Sequence, residues 1–182
     1  MCVMIGQEIF FMALEEIKQE YPKYEFMVSR DVTWILQKKM KRLIEEKGLP
    51  FELYQDYPLE KGCYEHKENE LVLVTQGTNY KELFSGRAQA ELVIRILLEP
   101  SKLRQDVCSH HLPRVLVTQL TENIRKVQSL VHSGKTKEGI SLLIDEYSRH
   151  RHQVIQDKDV VWESWGDYDD SGFNISVLVA TF

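Results

Sequence analysis

Near the start of the chain, apolar residues return every three or four positions. Ile9, Phe10, Ala13, Leu14 and Ile17 line one side of a segment from Ile5 to Glu20, the spacing of an amphipathic helix. Pro22 has no N–H to continue a helix and marks its end. A second stripe, Val32, Ile35, Leu36, Met40, Leu43 and Ile44, predicts a longer helix, with Ser29 or Asp31 as its cap and Gly48 followed by Pro50 as its stop. Lys38, Lys39, Lys41, Arg42, Glu45 and Glu46 fall off that stripe and read as a solvated face. After Pro50 the pattern changes to short extended runs. Phe51–Tyr54, Glu70–Thr75, Ala90–Leu98 and Arg114–Leu120 read as strands. Thr121 is placed to cap a helix through Ile124, Val127, Leu130 and Val131 that stops at Gly134. Ile140–Ile144 fits helix or strand, and the tight Gly-Lys-Thr turn before it favours strand; Val160–Trp165 and Phe173–Val179 complete the set. Helices leading a sheet, with one later crossover helix, predict an α/β fold with a central mixed sheet flanked by helices.

The long run Ala90–Leu98 has informative parity. Leu92, Ile94, Ile96 and Leu98 share one face, and Glu91, Val93, Arg95, Leu97 and Glu99 the other. A uniformly apolar face opposite three regularly spaced charges describes a strand near the sheet centre with solvent or a polar pocket on one side. The plain expectation is a half-exposed strand carrying a Glu91–Arg95–Glu99 ion row.

Composition narrows the function classes. The 182 residues suit one domain spanning 1–182, with 43% hydrophobic and 28% charged residues, the balance of an ordinary globular chain. A net charge of −5 gives nucleic-acid binding no support, although a local basic face is compatible with it. Cys2, Cys63 and Cys108 are odd in number and far apart, which implies neither a disulfide framework nor structural zinc. The apolar start, Met1–Leu14, is too short to span a bilayer, contains Gln7 and Glu8, and lacks a basic leader region, so the cytoplasm is the default expectation. No Walker A, GxGxxG, GxSxG or HExxH motif occurs.

Smaller clusters each have a plain reading. Cys108, His110 and His111 lack a fourth ligand at zinc spacing. Arg149, His150, Arg151 and His152 make a short basic run that reads as a solvated loop. Asp167, Asp169 and Asp170 between Gly166 and Gly172 suggest a calcium loop, but Leu178 stands where its bidentate Glu belongs, leaving a turn. Trp34, Trp162 and Trp165 read as core or interface residues rather than stacking platforms.

The order of a helix, a Tyr-Pro dipeptide, the Glu70–Thr75 strand, the charged strand Ala90–Ser101, a strand and a helix resembles the PD-(D/E)XK nuclease superfamily, with its restriction-endonuclease-like fold. Leu112–Val115 and Leu143–Glu146 resemble later segments of the same kind, so the likeness covers about Lys23 to Tyr147. In active members an Asp opening one strand and a Glu-x-Lys on the next hold Mg²⁺ and handle the attacking water. By position these roles fall on Glu70, Arg95 and Leu97. Glu70 keeps an oxygen ligand. Arg95 brings a fixed positive charge to a metal position, and Leu97 has no group for a water. The resemblance therefore implies a degenerate member with no cofactor and with a binding or assembly role toward a protein, a nucleic acid or a second copy. Two alternatives stay open. One is a Mg²⁺-dependent endonuclease with Glu91 or Glu99 as a migrated ligand, and the other is a partner-binding α/β protein of unrelated fold.

Overall fold

The structure is a computed structural model that describes residues 6–59, 69–102, 104, 112–153, 158–167 and 174–182. Two helices come first, α1 (Gly6–Glu20) and α2 (Ser29–Glu46), joined through a 3₁₀ turn at Tyr21–Lys23 that contains Pro22. The Asp31 carboxylate accepts from the N–H groups of Met27 and Val28 at 2.8 and 3.0 Å, satisfying donors at the start of α2. Ser29 instead uses its hydroxyl to accept from Leu98 N–H, tying the helix start to the sheet. Gly48, at φ 59°, turns the chain out of α2.

Next come β1 (Phe51–Gln55), β2 (Glu70–Thr75), a short α3 (Tyr80–Ser85) and β3 (Ala90–Glu99). They are followed by α4 (Val117–His132), β4 (Thr136–Asp145), β5 (Val160–Gly166) and β6 (Ile175–Thr181). The fold is α/β, and its six-stranded mixed sheet runs in the order β1-β2-β3-β4-β6-β5. Only β3 and β4 are parallel, with α4 as their crossover; the other neighbours are antiparallel. Among the described residues no helix is long and apolar enough to cross a membrane.

Strand parity places the core. Leu92, Ile94, Ile96 and Leu98 join Ile140, Leu142 and Ile144 against the apolar sides of α1 and α2 in one continuous cluster. The opposite face is also covered, which corrects the expectation of a half-exposed β3. Val93 packs with Val72, Val74 and Leu130, and Leu97 packs beside Leu120, Leu143 and Leu178. Parity gives the two faces of a strand; only the crossover helix decides whether the second one meets solvent.

Residues 114–120 do not form the expected strand. The chain is irregular to Leu116, which is 59% exposed, and α4 begins at Val117. Gln119 turns back to accept from Leu116 N–H at 2.8 Å, a local start signal that outweighs the apolar run. Thr121 consequently lies inside the helix, with its hydroxyl donating to Val117 O. The helix lies close on β4, since a Cβ at Gly139 would stand 2.4 Å from Val127 Cγ1. The short α3, capped by the Asn79 side chain, was not anticipated. The last strand runs Ile175–Thr181; Phe173, where the sequence expectation starts it, lies outside the described residues.

Candidate functional site: a polar row beneath α4

The two apolar clusters on the α4 face are divided by a polar row. Glu70 on β2 pairs in register with Arg95 on β3, and Arg95 with Ser141 on β4, so the three side chains stand abreast. Arg95 is 8% exposed and Ser141 fully buried. Asn123 reaches down from α4, its Oδ1 accepting from Arg95 Nε at 2.8 Å while its Nδ2 donates to Ser141 Oγ at 2.9 Å. On the other side Arg95 Nη1 lies 3.6 Å from Glu70 Oε2, with both side chains about nine-tenths buried. The guanidinium is thus fixed between a carboxylate and an amide, as a buried cation requires. The row opens into a cleft of about 620 Å³ lined by Asn69, Arg95, Leu97, Asn123 and, on α4, Gln119, Glu122, Arg125 and Lys126.

The three positions named from sequence therefore meet at one place, with Glu70 and Arg95 in contact and Leu97 beside them. The donor set does not suit a hard divalent cation, which needs several oxygens. Of the three positions only Glu70 brings a carboxylate, and Arg95 puts a permanent positive charge against it. Nor does the expected ion row along β3 form. Glu91 accepts from Lys137 Nζ at 2.8 and 2.9 Å and from the Thr75 hydroxyl at 2.7 Å. Glu99 accepts at one oxygen from Val115 N–H, and its other lies 3.0 Å from Arg149 Nη2. Each carboxylate has its own partner because the side chains of Arg95 and of either Glu project from points about 13 Å apart. Sequence reasoning missed Asn123 and Ser141. Nothing in their local pattern separates them from ordinary helix and strand residues, and only the β3–α4–β4 crossover brings them together.

A second buried polar group lies at the carboxyl ends of β3 and β4, where Glu99 pairs with Asp145. Both are fully buried, as are their neighbours Glu146 and His150 to within 1%. Asp145 accepts from Tyr147 and His150 N–H at 3.0 and 2.8 Å. Glu146 receives Arg104 Nε at 3.0 and 2.8 Å, the Tyr21 hydroxyl at 2.6 Å and Ser101 N–H at 2.7 Å. Arg149 also donates to Val115 O. These bonds clasp the chain leaving β3, the approach to α4 and the loop after β4. Burial raises the Glu99 and Asp145 carboxyls above their ordinary values, and the N–H groups and Arg149 only partly oppose it.

Arg149 and His150 thus depart from the solvated-loop reading, whereas Arg151 and His152 are exposed as expected. Of the tryptophans expected in core or interface, Trp34 is outside the core at 57% exposure, while Trp165 packs partly buried against Tyr21 and the main core. Cys2, Cys63, Cys108, His110, His111, Asp169 and Asp170 lie outside the described residues. Among the described residues no group of three His, Cys, Asp or Glu is arranged to hold a metal ion. Comparison with protein-family models, with curated proteins and with solved structures finds no match for the chain.

Proposed function

We propose that the chain is a catalytically degenerate relative of the PD-(D/E)XK nucleases, retained for binding or assembly. The observation that carries this reading is the placement of Arg95 between Glu70 and Asn123. The resemblance puts its metal-binding Asp and Glu at the start of one strand and on the next, which are the positions of Glu70 and Arg95 in β2 and β3. The succession α2-β1-β2-α3-β3-α4-β4 keeps part of that order, with α3 added and without the strand expected at 114–120.

Phosphodiester cleavage of this type needs a metal to offset charge on the attacking and leaving oxygens. With Arg95 in a ligand position, electrostatic repulsion and the loss of an oxygen donor both oppose Mg²⁺ binding. Leu97 supplies no substitute for the lysine that would orient a water. What the row offers instead is a rigid cationic side chain in a polar cleft, a recognition feature rather than a reactive one.

The test is a plasmid-nicking and single-strand degradation assay with Mg²⁺ and Mn²⁺, run on the wild type and on Glu70→Ala. Cleavage should not exceed the buffer control in either protein. Metal-dependent cleavage that disappears in Glu70→Ala would replace this reading with an endonuclease whose acidic ligands have regrouped.

A further inference from the structure

On the face of the sheet opposite the Arg95 cleft, α2 exposes a surface that its own fold does not use. Trp34, off the apolar stripe, is 57% exposed, whereas Val32, Leu36, Met40, Leu43 and Ile44 of the stripe are buried. Arg30, Trp34, Lys38 and Lys41 follow one another at three- and four-residue spacing, so they share one side of the helix. All four are exposed. The neighbouring cations are already neutralised: Lys39 pairs with Glu16 and Glu20, and Arg42 with Glu16 and Glu46. Among the described residues Arg30, Lys38 and Lys41 have no carboxylate partner; Lys38 lies 5.6 Å over the Trp34 ring instead. Two shallow depressions, of about 800 and 410 Å³, share Tyr24, Trp34 and Ile35 in their linings. An exposed aromatic beside half-buried apolar residues, rimmed by unpaired cations, has the composition of an interface centre.

We propose that this face of α2 docks a short acidic segment of a partner protein, with one apolar side chain of that segment seated beside Trp34. Charge complementarity selects the partner. From Arg30 to Lys41 the helix rises about 16 Å, which an extended segment of about five residues spans. Exposed Glu25 lies before this stretch and exposed Glu45 after it. A long polyanion such as a nucleic acid would run onto those carboxylates, and the net charge of −5 adds to the repulsion. A short segment whose negative charges gather over Lys38 and Lys41 keeps them short of Glu45, and of Glu25 and Asp31, which line the depression at the Arg30 end together with Trp34. An anionic membrane would need several apolar side chains to insert, and Trp34 is the one large apolar side chain exposed on this helix.

This inference does not rest on the nuclease-like reading. Its test is selection of a random-peptide display library on the wild-type protein, followed by synthesis of the enriched peptides. The expected result is enrichment of Asp and Glu around a single aliphatic or aromatic residue. Affinity for the synthesised peptide should fall about tenfold or more in Trp34→Ala, the loss expected at an interface hot spot. It should fall several-fold in the Lys38→Gln/Lys41→Gln double variant and weaken with added salt. These side chains are exposed, so thermal unfolding of the variants should match the wild type. No enrichment, enrichment without acidic residues, or equal binding to Trp34→Ala would overturn the proposal. So would binding of labelled oligothymidine, or of vesicles of phosphatidylserine and phosphatidylcholine, that is lost in Trp34→Ala while acidic peptides fail to bind.

Discussion

Along the parallel strands β3 and β4, the row at Arg95–Ser141 and the clasp at Glu99–Asp145 stand four residues apart but handle buried charge in opposite ways. In the row a cation is central, held by one carboxylate and one amide, and the group borders an open cleft. In the clasp carboxylates are central and fully buried. Backbone N–H groups from three separate loops converge on them, with Arg104 and Arg149 at the sides. The first arrangement keeps a charged head close to water, where a ligand can reach it. The second joins loops that are distant in sequence, as Arg104–Glu146 and Glu99–Val115 do, and reads as architecture. Along one strand pair, burial depth separates a candidate recognition feature from a structural joint.

The sharpest way to break that comparison is to remove Glu146. Glu146→Ala removes the carboxylate that Arg104, 7% exposed, and the Tyr21 hydroxyl both bond. Urea unfolding should show a loss of about 3–5 kcal/mol, the usual cost of breaking a buried pair from one side. Glu70→Ala should cost less, about 2 kcal/mol. Its pair is longer and borders the cleft, so water can replace part of the interaction, and the value falls between those of surface and buried pairs. If Glu70→Ala proves as costly as Glu146→Ala in the same measurement, the row is a joint like the clasp and its role as an accessible site fails.

The smallest expected effect is in the pH dependence. Glu99 and Asp145 have raised folded-state values, so the folded state holds their protons more tightly than the unfolded chain. Their stabilising contribution is full below the ordinary carboxylate range and is lost as pH rises through the raised values. Relative to Glu99→Gln, the wild type should therefore gain stability as pH falls from neutral toward 4.5, the ordinary Glu value. The helix-pairing carboxylates behave in the reverse sense. Lys39 and Tyr24 hold Glu20 down to about 2. At Glu16 burial is the largest single influence and raises the carboxyl, but Arg42 and Lys39 together outweigh burial and lower it on balance. Their contribution is present above the ordinary value and is lost as pH falls through the lowered ones. Urea midpoints for wild type and Glu99→Gln across pH 4 to 7 read the first effect. A wild-type advantage that shrinks on acidification would mean that Arg149 outweighs burial at Glu99.

Local pattern was enough for β2, for the apolar face of β3 and for α1 and α2, because each rests on a period that side-chain burial imposes directly. The resemblance, rather than the periodicity, put Glu70, Arg95 and Leu97 at one place, and the antiparallel β2–β3 register is what sets Glu70 against Arg95. Local pattern failed at residues 114–120, where the apolar run Val115-Leu116-Val117 was outweighed by the Gln119 contact that starts α4. Trp34, for which the sequence leaves core or interface open, lies outside the core at 57% exposure.

What the sequence determined by itself was α1, α2, β2 and the two faces of β3, because alternation and helical period are properties of neighbouring residues. What only the tertiary structure decided was which elements cover those faces. The crossover of α4 brings Asn123 to Arg95 and Ser141 over sequence separations of 28 and 18 residues. The clasp joins Tyr21 to Glu146 over 125. Contacts of that range leave no mark on the local pattern of either partner, since each side chain answers to a neighbour that folding alone supplies.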